Sequence, residues 1–121
     1  MPTVLAVDDE GDILLALAEY LEGALPGVRV ETAGSGAEGL ARLERGPVDL
    51  LVSDYRMPGM DGLTFLQRAR EIAPGMPRVL MTAYPDAELA VRAVNLAHIE
   101  RFLVKPVEPE QLAALVKELL P

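Results

Sequence analysis

Val48-Asp49-Leu50-Leu51-Val52-Ser53 runs directly into Asp54-Tyr55-Arg56-Met57-Pro58-Gly59-Met60-Asp61-Gly62. The first six residues read as a buried strand over 48–53, and the nine that follow read as a loop, because Pro-Gly and Asp-Gly favour turns over regular structure. The boundary falls on a carboxylate, Asp54. The same event recurs along the chain. Asp8 and Asp9 end the apolar run Val4-Leu5-Ala6-Val7, Thr82 ends Arg78-Val79-Leu80-Met81, and Lys105 ends Phe102-Leu103-Val104. Four apolar runs each stop at a group able to handle a metal ion or a phosphate, as expected of one site divided among four strand ends.

Helical periodicity fills the intervals. Strands are expected over 3–8, 28–33, 48–53, 78–82 and 101–104. Leu14, Leu17, Leu21 and Leu25 recur at spacings of three and four, which predicts a helix over 12–25 closed by Pro26-Gly27. Ser35 and Glu38 have the spacing of a capping box ahead of Leu40 and Leu43. Leu63, Leu66 and Ala69 mark a third helix stopped by Pro74-Gly75. Asp86 is placed to cap a fourth over 87–97, and Pro109 suits the first turn of a fifth over 109–120. Strict β/α alternation predicts a doubly wound (βα)5 parallel sheet with helices on both faces, a flavodoxin-like three-layer sandwich of strand order 2-1-3-4-5. A chain of 121 residues reads as one domain over 1–121.

Composition removes several function classes. There is no Cys, which excludes disulfides, thiolate metal sites and cysteine nucleophiles, and His98 is the single His. The net charge of −8 opposes direct nucleic-acid binding by this domain and opposes anionic membrane surfaces. The chain shows no signal peptide, and its apolar runs fall far short of the ~20 residues that span a bilayer. The expected location is the cytoplasm.

In a doubly wound sheet, ligands bind beyond the carboxyl ends of the strands where the strand order reverses. With strands 1 and 3 adjacent, Asp8, Asp9 and Asp54 meet at that point. Three carboxylates repel, since two like charges about 4 Å apart cost roughly 4 kcal/mol at an effective dielectric near 20. Hard oxygen donors without His or Cys favour Mg2+. Lys105 adds a positive charge for a phosphoryl oxygen, and Thr82 adds a hydroxyl. Such a set suits phosphoryl transfer, with Asp54 as a nucleophile forming an aspartyl phosphate. No residue stands out as a base to activate water, so the phosphorylated form is expected to last.

These motifs, in this order at these strand ends, resemble the receiver domain of two-component response regulators, and the resemblance runs from about Thr3 to Leu119. It implies that Asp54 accepts a phosphoryl group from a sensor histidine kinase or a histidine phosphotransfer protein. It implies Mg2+ held by Asp9, Asp54 and the main-chain carbonyl of Arg56, with Asp8 acting mainly through water. Thr82 and Lys105 would contact the phosphoryl oxygens, and Lys105-Pro106 would be a cis peptide. Phe102 would be the aromatic that turns inward as Thr82 moves. Arg56 and Tyr84 stand at positions that tune phosphate lifetime, and both are bulky. The expected protein is a switch and not an enzyme beyond its own phosphorylation and slow autodephosphorylation. Phosphorylation would act on a face around helix 4, strand 5 and helix 5. Downstream partners would be an output domain or protein, and a homodimer formed on phosphorylation is a further expected one. More weakly, 93–106 resembles receivers attached to cyclic-dinucleotide phosphodiesterase outputs.

Other readings compete. A Mg2+-dependent aspartyl phosphohydrolase would want a second carboxylate two residues after the nucleophile, where Arg56 stands. A flavodoxin-like electron carrier would need a phosphate-cradling first loop, and Asp8-Asp9-Glu10-Gly11-Asp12 repels phosphate. A pseudo-receiver that binds without phosphate would not need the full set of Asp8, Asp9, Asp54, Thr82 and Lys105. Asp8 and Asp9 could also simply cap the first helix. Asp61 and Gly62 are expected to serve the turn and helix start, and His98 is given no role. Helix 4 is apolar nearly all round, from Ala87 to Ala97, beyond what one buried face needs.

Overall fold

A computed structural model describes all residues, Met1–Pro121. Five parallel strands lie in the order β2-β1-β3-β4-β5: β1 Thr3–Val7, β2 Arg29–Ala33, β3 Leu50–Asp54, β4 Arg78–Thr82 and β5 Arg101–Val104. Helices α1 Gly11–Ala24, α2 Gly36–Glu44, α3 Gly62–Ile72, α4 Ala87–Arg92 and α5 Pro109–Leu119 alternate with them. The fold and strand order are those expected from the sequence.

The sheet divides the core in two. On one face Leu5, Leu51, Phe65, Leu66 and Leu80 are buried with residues of α2, α3 and α4. On the other, Val4, Leu21, Val52, Val79 and Val116 are buried between α1 and α5. Central strands β1, β3 and β4 are apolar on both sides because helices cover both faces. At one edge, β2 buries Val30 and Ala33 and leaves Arg29 exposed, the half-exposed strand its alternation predicts.

Local chemistry sets the boundaries. Ser35 Oγ accepts from Glu38 N–H at 3.1 Å, while the Glu38 carboxylate accepts from Gly34 N–H at 2.6 Å, so the box closes one residue earlier than its usual form. Pro109 occupies the first turn of α5. The third strand begins at Leu50 because Asp49 is used differently: its carboxylate accepts Thr3 N–H at 2.7 Å and its own N–H donates to Thr3 O at 2.8 Å. The first strand ends at Val7, which leaves Asp8 and Asp9 in the loop, and the third extends to include Asp54.

The fourth helix departs from expectation. Regular α-helix stops at Arg92, and Ala93–Ala97 continues as a π turn ending at His98, whose backbone is left-handed (φ 50°, ψ 50°). Asp86 caps its start as expected, accepting Leu89 N–H at 2.7 Å. Leu89, Ala93 and Ala97 face the core, and Val91, Val94 and Leu96 face out.

Candidate functional site

Parallel registry carries the singled-out side chains to one end of the sheet. Asp54 stands opposite Met81 in the β3–β4 ladder, Tyr55 N–H donates to Met81 O at 2.8 Å, and Lys105 N–H donates to Thr82 O at 2.8 Å. Asp8 N–H donates to Ala33 O at 3.2 Å, which anchors the first loop. Carboxylate oxygens of Asp8, Asp9 and Asp54 lie within 4.8 Å of one another. Asp8 and Asp54 are buried and Asp9 is exposed.

Lys105 completes the cluster. Its Nζ lies 3.1 Å from Asp8 Oδ2 and 3.1 Å from Asp54 Oδ1, bridging the two buried carboxylates. Like-charge repulsion is therefore partly relieved from within the chain. It is not fully relieved for Asp54. Burial pushes its carboxyl above the ordinary aspartate range, the Lys105 hydrogen bond pulls it back, and the Asp8 charge pushes it up again. For Lys105, burial works against the charged amine, yet hydrogen bonds to Asp54 and Asp8 outweigh it and raise its pKa. Asp8 Oδ1 also accepts Glu10 N–H at 3.1 Å within the loop, while α1 starts after Glu10 with no side-chain cap, so neither Asp8 nor Asp9 caps that helix.

Thr82 is buried, and its Oγ1 accepts Tyr84 N–H at 3.1 Å. That bond uses a lone pair and leaves the hydroxyl hydrogen for another acceptor. The Lys105-Pro106 peptide is cis. Phe102 is half-buried, opposite Leu80 in the β4–β5 ladder. Asp61 caps α3, accepting Thr64 N–H at 2.8 Å, as expected. Gly62 does more than start the helix. Its N–H donates to Tyr55 O at 2.7 Å, and a Cβ there would run into the Asp54 carbonyl oxygen, so only glycine lets α3 press against the acceptor loop.

Two features were not legible in the sequence. The Arg56 guanidinium lies over the Tyr84 ring, 4.5 Å from its centroid, joining the β3–α3 and β4–α4 loops across the site. Arg78, which sequence reading places only as the start of a strand, is a buried arginine with 3% exposure. No local pattern marks either one, because each contact joins segments remote in the chain.

A sequence profile described as "Response regulator receiver domain" matches residues 4–117. The chain belongs to the response regulator receiver family. Acceptance of a phosphoryl group on aspartate is the function of that family. The hydrogenase transcriptional regulatory protein HoxA of Cupriavidus necator is 38% identical over 116 residues, covering 96% of this chain and 23% of that protein. The cyclic di-GMP phosphodiesterase response regulator RpfG of Xanthomonas campestris pv. campestris is 37% identical over 119 residues, covering 97% and 31%. A CheY-like receiver domain protein from Methanospirillum hungatei JF-1 superposes with a TM-score of 0.91 at 34% identity, covering 98% of this chain and 92% of that one. The receiver thus spans less than a third of the length of either curated relative. No helix is long and apolar enough to cross a membrane.

The donor set fits a small hard cation. Three carboxylates, two from the loop after β1 and one from the end of β3, converge, one of them exposed, with no His or Cys among them. Asp9 and Arg56 line one open hollow of about 470 Å3 beside the cluster.

Proposed function

We propose that Asp54 is the phosphoacceptor of this receiver and that Asp8, Asp9, Asp54 and the Arg56 carbonyl form its Mg2+ site. The observation that carries this reading is the convergence of Asp8, Asp54 and Lys105 within hydrogen-bond reach at the switch point of the sheet. An Asp54 carboxylate oxygen attacks the phosphorus of a phosphohistidine, the P–N bond breaks, and the imidazole leaves with the electron pair. Lys105 and the Thr82 hydroxyl donate to the phosphoryl oxygens that result. A bound Mg2+ would offset charge on those oxygens.

The donor is a histidine kinase or a histidine phosphotransfer protein, and the setting is the cytoplasm. Phosphorylation shifts a two-state equilibrium through new contacts at Thr82 and Lys105. Phe102 follows Thr82, and the face around α4, β5 and α5 changes for an output domain, an output protein or a second copy. This domain neither binds nucleic acid nor acts as a turnover enzyme. Incubation with acetyl phosphate and Mg2+, followed by intact mass measurement, is expected to give one lasting phosphate adduct per chain. Rapid multiple turnover without an adduct would favour a phosphohydrolase and remove the switch reading.

Arg56 and Tyr84 set the lifetime of that adduct as a unit. Stacked on one another, they narrow the approach of water to the acyl phosphate. The Arg56→Ala, Tyr84→Ala double variant is expected to lose phosphate about 2- to 5-fold faster, the factor an exposed cation–π contact represents. Each single variant should show most of that change, because either partner alone leaves no stack. Equal rates in wild type and double variant would refute the shielding role.

A further inference from the structure

Arg78 opens β4, the strand that ends at Thr82. It is buried, and no carboxylate pairs with it. Its guanidinium donates instead to main-chain carbonyls: Nε to Ala97 O at 2.9 Å, Nη1 to Met76 O at 2.7 Å and Ala73 O at 3.3 Å, and Nη2 to His98 O at 3.4 Å. Burial lowers its pKa, with Arg70 acting in the same direction and Glu100 opposing. A buried charge without a counterion is unusual. Here the carbonyl-rich ends of α3 and of the π turn take the counterion's place.

The four acceptors are not equivalent. Ala73 and Met76 lie in the turn just before Arg78 and are already joined by a hydrogen bond, Met76 N–H to Ala73 O at 3.1 Å. Ala97 and His98 are remote in sequence, and they flank the peptide that enters the one left-handed non-glycine residue of the chain. Small side chains make the packing at that end. The residues of α4 and the π turn that face the core are one leucine and two alanines, while Val91, Val94 and Leu96 are 57%, 55% and 43% exposed. A π turn is an α-helix with one extra residue, and its relaxation would rotate one part of the helix against the other by about 100°, the angular step of one residue.

We propose that Arg78 is a latch on the fourth helix: by binding the carbonyls of Ala97 and His98 it holds the π turn and fixes which side chains α4 presents. This deepens the reading of α4 as part of the switched face and rests on it. Arg78 is a positioning residue, remote from the phosphoryl chemistry. When the latch opens, the π turn relaxes, and Val91, Val94 and Leu96 change their placement relative to β5.

Amide hydrogen exchange on the whole chain tests the latch. Arg78→Met is compared with Val30→Ala, a core truncation on the opposite face that destabilises without touching α4. Arg78→Met is expected to speed exchange over 88–100 about tenfold beyond any change in β1 and β3, as a local opening does. Val30→Ala is expected to speed all segments together. Arg78→Lys, which keeps the charge and fewer bonds, should fall between and stands in if Arg78→Met does not fold. Uniform acceleration in the Arg78 variants would overturn the latch. In wild type, acetyl phosphate and Mg2+ are expected to speed exchange over the same segment, and in Arg78→Met to add nothing there. An adduct that leaves 88–100 unchanged in wild type would overturn the link to switching. Absence of an adduct would sink the phosphoacceptor reading alone, since the latch is measured on unphosphorylated protein.

Discussion

Asp54→Asn is expected to abolish the phosphate adduct and, without divalent cation, to make the fold more stable than wild type. The first effect follows from removing the nucleophilic oxygen: Asn offers no anionic oxygen to attack phosphorus. The second follows from electrostatics. Burial and the Asp8 charge hold the Asp54 pKa above the ordinary aspartate value despite Lys105, so ionising Asp54 costs the folded state more than the unfolded chain. That cost is absent below the unfolded pKa, about 3.9, where the side chain is protonated in both states. It reaches full size once the pH has risen through the raised folded pKa. The variant's advantage should therefore be nil near pH 3 and about 1 kcal/mol at neutral pH, an ordinary size for one substitution. Urea midpoints across pH measure it. Adding Mg2+ should stabilise the wild type more than the variant, because linkage follows the number of ligands retained. A variant less stable than wild type at neutral pH without cation would remove the account of a strained acidic pocket.

The parts of this receiver that local sequence could reveal are those set by local physics. Apolar runs that halt at Asp8, Asp54, Thr82 and Lys105 mark strand ends, and α/β topology brings all four to the carboxyl end of the sheet. Ser35, Asp86 and Pro109 declare helix starts through chemistry that acts within one turn. The same reasoning fails where a contact spans the fold. A periodic stretch over 87–97 reads as α-helix, and nothing local indicates that Arg78 will hold Ala97 and His98 in a π turn. Arg56 and Tyr84 are each legible as bulky loop residues, but their stacking depends on two loops meeting. Gly62 reads as a helix start, and its closeness to the Asp54 carbonyl exists only once α3 packs down. Lys105 reads as a phosphate ligand, and the structure adds that it already bridges the two buried carboxylates.

That bridge supports the second large effect. Lys105→Met keeps most of the side-chain volume and removes the ammonium, leaving Asp8 and Asp54 buried and facing each other. Breaking a buried ion pair by deleting one partner commonly costs 3–5 kcal/mol, and the lower end, about 3 kcal/mol, is expected because the Lys105 side chain keeps 24% exposure. The loss should depend on pH in a specific way. Lys105 has a folded pKa above its unfolded value, so its contribution is complete below the unfolded lysine pKa of about 10.4 and fades as the pH rises through the folded one. Wild type should thus weaken toward the variant in strong alkali, and the variant should show no such step. Mg2+ acts in the opposite sense on the two proteins' difference: with the ammonium gone, the carboxylates attract a divalent cation more strongly, and saturating Mg2+ should return much of the lost stability. Chemical denaturation of both proteins with and without Mg2+ decides the matter. If Lys105→Met is as stable as wild type in the absence of cation, the ammonium is not what makes the carboxylate cluster tolerable, and the electrostatic basis of the acceptor site fails with it.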